Sequence, residues 1–322
     1  MNFVQKILKK INGLAYAQEY LCMGEDDITH PLHVYITNGE NKIVYDAAGR
    51  HAMTGYHPLI LAFSGNQPFF GDTIRLCFSQ KEYDTGCVLP KKNILAWLTL
   101  SRLHQKTLEG TSLHFYKATR GHHDFINPFH RLINRLDNSL FNRKPYNVYL
   151  TNRIYTTVQI GYAVPRKISL VTVGRAEQYN LFPTDLHGEF EGYYIISLRK
   201  TGRACSQVQE NKNILLCDMD PSYYKQVYGL GKNHMQELKP STSFQFTATH
   251  SPTFNLPVPE GAVTCKELEL IDYFSHDIHT LLLFKIVSTR PITGKGNTLH
   301  HLHTTYATWR KKNRLPGKYL LR

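Results

Sequence analysis

Apolar and polar positions alternate in short runs over residues 32–90, the pattern of half-buried strands. Runs 34–37 and 42–45 flank the turn dipeptide Asn38-Gly39 and predict a hairpin. Runs 59–63 and 74–78 predict two more strands. The period then changes. Over 91–109, Ile94, Leu95, Trp97, Leu98 and Leu103 cluster at helical spacing and Gly110 supplies a stop, which predicts a helix. A second helix is predicted over 128–141, with Phe129, Leu132, Ile133, Leu136 and Leu140 on one side. Residues 142–145 break it. The reading therefore divides the chain near 142–146, into a strand-plus-helix domain over 1–144 and a second domain over 145–322.

Strand-like runs follow at 148–150, 156–160, 168–173, 193–198, 214–216, 244–246, 266–270 and 281–287. Many short strands with few long helices predict a mainly β protein with some helices (α+β), its C-terminal half a small antiparallel barrel. Residues 33–38 (HVYITN) and 147–152 (NVYLTN) echo one another. That leaves two readings of the first half: a degenerate copy of the barrel, or an unrelated domain.

Composition narrows the class. With 322 residues the chain is long enough for about two domains, and 42% apolar with 20% charged residues is ordinary for a globular protein. No apolar run approaches the ~18 residues of a membrane span. Phe3, Ile7, Leu8 and Ile11 share a helical face, but Lys9, Lys10, Asn12 and Gly13 interrupt any signal-peptide core before Ala15-Tyr16-Ala17. The six cysteines, at 22, 77, 87, 205, 217 and 265, form no C-x-x-C pair. They predict reduced thiols and a cytoplasmic setting.

The formal charge of +13 points to an anionic partner. One place stands out. The strand run 193–198 leads into Arg199-Lys200-Thr201-Gly202-Arg203, which gathers three cations, a hydroxyl and a glycine in five residues. Such a cluster suits a phosphate, and a helix opening at Ala204 would aim its amides at the same anion. A solvated Lys/Arg turn is the alternative. Residues 180–188 read as a polar loop before that strand.

In order along the chain, these motifs resemble the flavin reductase-like family, whose fold is an FMN-binding split β-barrel. The likeness runs from about Tyr146 to Ser288. It rests on the apolar strand 168–173, Asn180-Leu181-Phe182-Pro183-Thr184, Ser197-Leu198-Arg199 before a Thr/Gly turn, Cys265-Lys266-Glu267-Leu268, and Asp277-Ile278-His279 before strand 281–287. The family reads Gly-Asp-His at the last element, without the inserted Ile278. The resemblance implies that Asn180, Leu181, Phe182, Pro183 and Thr184 line the isoalloxazine edge with backbone amides and the Thr184 hydroxyl. It implies that Arg199, Lys200, Thr201 and Gly202 hold the FMN phosphate, with Arg203 a second cation, and that His279 lies near the flavin. It further implies an FMN-dependent oxidoreductase, with NAD(P)H docking transiently because no dinucleotide-binding glycine loop is present. Family members are commonly homodimers, and a decayed N-terminal copy would supply that partner surface within one chain.

Other constellations compete. His122-His123, His276/His279 and His300-His301-x-His303 lack the spacing of a metal site, and His122, His123, His300, His301 and His303 read as surface or loop histidines. The C-terminal run from Trp309 carries six basic residues and no acid, with Tyr306, Trp309 and Tyr319 interleaved. It reads as a solvated helix, or as a nucleic-acid-binding tail. A non-catalytic flavin-binding module and a nucleic-acid-binding protein are thus the alternative functions.

Overall fold

A computed structural model of the chain describes residues 11–67, 69–141, 148–293, 296–315 and 317–320. The helical face through Phe3, Ile7 and Leu8 and the boundary near 142–146 lie outside the described residues.

The first half opens with β1 (Tyr20–Gly24), β2 (His33–Thr37), β3 (Ile43–Asp46) and β4 (His51–Tyr56). It continues with β5 (Leu59–Ser64), β6 (Thr73–Ser79), β7 (Ile94–Leu108) and β8 (Thr111–His123), then α1 (Pro128–Phe141) and α2 (Asn152–Gly161). The second half runs through β9 (Arg166–Lys167), β10 (Ser169–Arg175), β11 (Gln178–Thr184), β12 (His187–Phe190) and β13 (Tyr193–Arg199). Next come α3 (Arg203–Asn211), β14 (Asn213–Met219), α4 (Tyr224–Gly229), β15 (Lys239–Pro240), β16 (Phe246–His250) and β17 (Pro257–Pro259). The long strands β18 (Ala262–His276) and β19 (His279–Pro291), then β20 (Leu299–His303) and α5 (Thr304–Lys312), complete it. Among the described residues no helix is long and apolar enough to cross a membrane.

Two large antiparallel sheets dominate, ordered β3-β2-β6-β7-β8-β5-β4 and β12-β13-β19-β18-β14-β10-β11-β15. A small third sheet, β1-β20-β9, ties the first strand among the described residues to the last. The first sheet packs on α2, and the second on α3, each over its own apolar core. A further core lies between the sheets, where Ala62, Leu113 and Phe115 of one meet Ile195, Leu281 and Leu283 of the other. Edge strands β4 and β12 touch there so closely that a Cβ on Gly188 would lie 2.2 Å from that of Ala52.

Several expectations need correction. The helix predicted over 91–109 is strand β7, and Gly110, at φ +83°, turns the β7–β8 hairpin instead of ending a helix. Its first half is covered on both sides, Leu98 and Leu100 facing the first core and Ile94 and Trp97 a separate cluster with Tyr35 and Cys77. Two apolar faces erase the alternation that marks a strand. The strand predicted over 156–160 is helix α2, buried from Tyr155 to Gly161, where packing overrides the β preference of Thr and Val. Residues 148–150 are irregular, so the echo with 33–38 joins a strand to a non-strand. Residues 180–184 form strand β11, not a loop; their backbone is laddered to β10, from Asn180 opposite Val173 to Thr184 opposite Ser169.

The histidines and cysteines also differ. His123, His300, His301 and His303 are buried, because β8 and β20 lie under α2 and beside β9. Cys217 and Cys265 stand opposite each other on β14 and β18 and are joined as a disulfide. Their sequence separation of 48 conceals a pairing that only the ladder creates. Cys22, Cys77, Cys87 and Cys205 remain thiols. The basic tail is half embedded: Tyr306 and Arg310 of α5 are fully buried, and Arg310 donates to the carbonyls of Thr29 and His30.

Two predictions follow from this packing. Gly188→Ala should lower stability by about 1–3 kcal/mol through overpacking against Ala52, and Ala52→Gly in the same chain should restore most of it in urea titrations. An unchanged midpoint in the single variant would refute the close contact. Burial also lowers the imidazole pKa from 6.5 to about 4 at His51 and His187 and to about 3 at His123. These groups are neutral when folded and more readily protonated when unfolded, so their contribution is complete above pH 6.5 and is lost as pH falls toward 4. The urea midpoint should drop across that window; a flat profile would contradict the burial.

Candidate functional site

The ladder sets the geometry of a cleft between the two halves. Strands β13 and β19 place Arg199 directly opposite His279. Strand β11 delivers Pro183 and Thr184 beside them. The 3-10 turn Leu230–Met235 closes the side, because Asn233 Nδ2 donates to the Leu181 carbonyl at 2.8 Å and His234 Nε2 to that of Pro183 at 2.7 Å. From the first half, β4 ends in Tyr56. Together they enclose a cavity of about 320 Å³ lined by Tyr56, Thr184, Ser197, Arg199, His234 and His279 among others.

Each polar group in this wall has a defined state. Arg199 donates to the Tyr56 hydroxyl from Nε at 3.0 Å and Nη2 at 2.6 Å, and its guanidinium stands 5.9 Å from the ring centroid. The Tyr56 amide donates to His279 Nε2 at 3.3 Å. The histidine proton therefore sits on Nδ1, which donates to Ser197 Oγ at 3.2 Å. Burial, reinforced by the positive fields of Arg199 and His57, lowers His279 to about 4. It is a neutral imidazole at physiological pH.

A second chamber of about 330 Å³ opens off the first and shares Tyr56, Asp185 and Arg199 with it. Its walls are Tyr20, Tyr155 and Tyr162, with His301 at the back. Asp185 accepts from the Tyr162 hydroxyl at 2.7 Å and from His301 Nε2 at 2.8 Å. His301 Nδ1 is hydrogen-bonded to the Tyr228 hydroxyl at 2.7 Å. Burial opposes a charge on Asp185, but the His301 and Tyr162 hydrogen bonds and the buried Arg166 outweigh it and hold the carboxyl well below the usual range. Arg166 is itself drawn down to about 10 by burial. Burial keeps Tyr162 neutral. The chamber thus holds a fixed carboxylate among phenols that can donate but do not ionise.

The residues singled out in the sequence divide into groups. Pro183, Thr184, Arg199 and His279 line the cleft. Lys200 and Thr201 are exposed ahead of α3 and are not among the residues that line the cavity. Gly202 is the N-cap of α3, offers no side-chain cap to the first amides, and lies 3.1 Å (from an added Cβ) from the His234 carbonyl. Arg203 pairs with Glu237 on the surface at 2.8 Å. Asn180 is buried behind the wall, donating to Gln207 Oε1 at 2.7 Å and to the Asn233 carbonyl at 3.0 Å. Leu181 and Phe182 belong to cores. Sequence reasoning missed Tyr56, Asp185, Tyr162 and His301. Asp185 immediately follows the singled-out Thr184; the others come from segments that only folding unites. Among the described residues no group of three or more His, Cys, Asp or Glu could hold a metal ion.

No protein-family model and no curated protein matches the sequence. Among solved structures, the chain is similar over about half its length to flavin reductases and FMN-binding proteins. An FMN-binding protein from Thermus thermophilus with bound p-hydroxybenzaldehyde shows 17% identity, covering 40% of this chain and 74% of its own, with a TM-score of 0.37. The NADH:FAD oxidoreductase of Streptomyces globisporus C-1027 shows 12% identity over 50% of this chain and 96% of its own, with a TM-score of 0.42. The styrene monooxygenase flavin reductase of Pseudomonas putida S12 shows 14% identity over 52% of this chain and 96% of its own, with a TM-score of 0.39.

Proposed function

We propose that the chain is a flavin-dependent oxidoreductase that binds FMN in the cleft between its halves and accepts electrons from NAD(P)H. The observation that carries this reading is the paired cavity. One chamber has a cationic rim and a neutral imidazole, and the other adjoins it with aromatic walls. The residues fit the cofactor. The uncapped first turn of α3, with Lys200, Thr201 and Arg199 beside it, suits a phosphate. Thr184 and Ser197 offer hydroxyls to a polar ring edge, and the Tyr56 ring covers one side. When bound, the flavin supplies the redox chemistry. The chain's own residues bind it, orient it, exclude water and hold a proton on Tyr162. The tyrosine-walled chamber offers aromatic faces to a nicotinamide ring. Full burial removes Tyr306 from base stacking, which weighs against the nucleic-acid reading.

The test is direct. Purified protein should bind FMN, and Arg199→Ala with Lys200→Ala should weaken it about tenfold to a hundredfold. Protein that ignores added FMN sinks the proposal. Under anaerobic conditions NADH or NADPH should bleach the bound flavin; bound flavin that neither reductant bleaches would make this a binding module instead. Tyr162→Phe removes one hydrogen bond to Asp185, so it should slow that bleaching while leaving FMN affinity within about threefold, since this phenol lies in the other chamber.

A further inference from the structure

The two large sheets have the same connectivity. Taking β2 to β8 in turn as β10, β11, β12, β13, β14, β18 and β19 converts the first strand order into the second, which adds only β15 at its edge. The ladders make the correspondence residue-specific. In the hairpins, Leu108 pairs with Thr111 and His276 with His279. From that point both hairpins carry the same irregularities at a constant offset of 168: Arg102/His104 with Leu270/Asp272, and Thr99/Leu100 with Glu267/Leu268. A third pair, at Phe78/Ser79 and Asp218/Met219, agrees. Neighbouring strands follow. Leu113 pairs with Ser64 and Leu281 with Ser197, which makes Ser64 the counterpart of Ser197. His51 lies opposite Phe63 and His187 opposite Ile196, so these two histidines correspond as well.

The correspondence also describes how the halves meet. Ala52 and Gly188 are counterparts, and they are the residues in closest approach between β4 and β12. A residue touching its own counterpart marks a two-fold axis. The chain is thus arranged as an internal pair, which would give two equivalent cleft positions. Only one is built. The counterparts of Arg199 and His279 are Asn66 and Thr111. Those of Thr184 and Asp185 are Ala47 and Ala48, fixed by the bond from the Ala47 amide to the Val34 carbonyl. Tyr56, which the first half lends to the cleft, has no paired counterpart, because Gly55 opposite Ile60 matches Phe190 opposite Tyr193 and the second-half hairpin turns there through Glu191 and Gly192, two residues shorter. Phe70 lies against Gly65, the counterpart of cleft-lining Leu198, and stacks on His114 at 4.4 Å. Among the described residues of the short 65–72 connection, no helix corresponds to α3.

We infer that each chain carries a single ligand site, completed within the chain by Tyr56 of the first half, and that the reciprocal position is closed to an anionic cofactor. The inference rests on the flavin reading for the identity of the ligand. The first half is a built-in partner. It contributes one wall and the covering surface but binds no flavin of its own.

Titration of the full chain with FMN, paired with light-scattering mass, tests this. Saturation is expected at one FMN per chain with the chain monomeric. Two FMN per chain, or one per two chains, would overturn the single-site inference and leave the flavin reading standing. No binding would overturn both. Tyr56→Glu sets a carboxylate against the cleft and should weaken FMN at least tenfold with the mass unchanged. Tyr56→Phe, which keeps the ring, should retain one FMN per chain and so separates loss of the site from loss of the fold.

Discussion

The near-contact of Ala52 with Gly188 governs the rest of the molecule. Two twisted sheets bury their inner faces against each other only if their edge strands β4 and β12 cross without side chains between them. Ala and Gly allow that approach. With the sheets so close, Leu113, Phe115, Leu281 and Leu283 fill one side of the junction, and Tyr56 at the end of β4 arrives beside Arg199 and His279 on the other. A larger residue at either position would part the sheets and withdraw Tyr56 from the cleft wall.

The junction also concentrates buried polar groups, and they are settled in opposite ways. His51, His187 and His279 are discharged by burial, with neighbouring cations adding to the effect. Asp185 stays charged because Tyr162 and His301 donate to it and Arg166 lies near. Asp218 is held low likewise: burial opposes its charge, but Lys167 at 2.8 Å and Ser169 at 2.7 Å outweigh it. A buried carboxylate survives only with such partners.

Much of the fold was legible in the sequence, and the exceptions share a cause. Hairpin β2–β3 and strands β5, β6, β10, β13 and β19 announced themselves by alternation or by apolar runs. Strand β7 and helix α2 did not, because burial on two or more sides removes the periodicity that separates strand from helix. The cationic turn and His279 were visible because they are local motifs. Tyr56, Tyr162 and His301 were invisible because their meaning depends on the β4–β12 contact and on the β1-β20-β9 sheet, which bring remote segments together. The echo at 33–38 and 147–152 aligned the wrong segments. The ladders align β2 with β10 instead, where Thr37 meets Thr172 and little else is shared. β-strands preserve pleat and bulge positions while their side chains change, so a structural repeat can outlast any trace in the letters.

Joining both halves in one polypeptide changes how the site behaves on dilution. A site shared by two separate subunits dissolves as they come apart, and its occupancy then depends on protein concentration. Here the covering half is tethered, and tethering holds such a partner at an effective concentration on the order of millimolar. The third sheet adds a second clasp, since β1 and β20 bind the start of the chain to its end. The cleft therefore keeps its shape however scarce the protein becomes. Freed from serving two identical sites, each half can change at its own end of the axis without the change appearing twice.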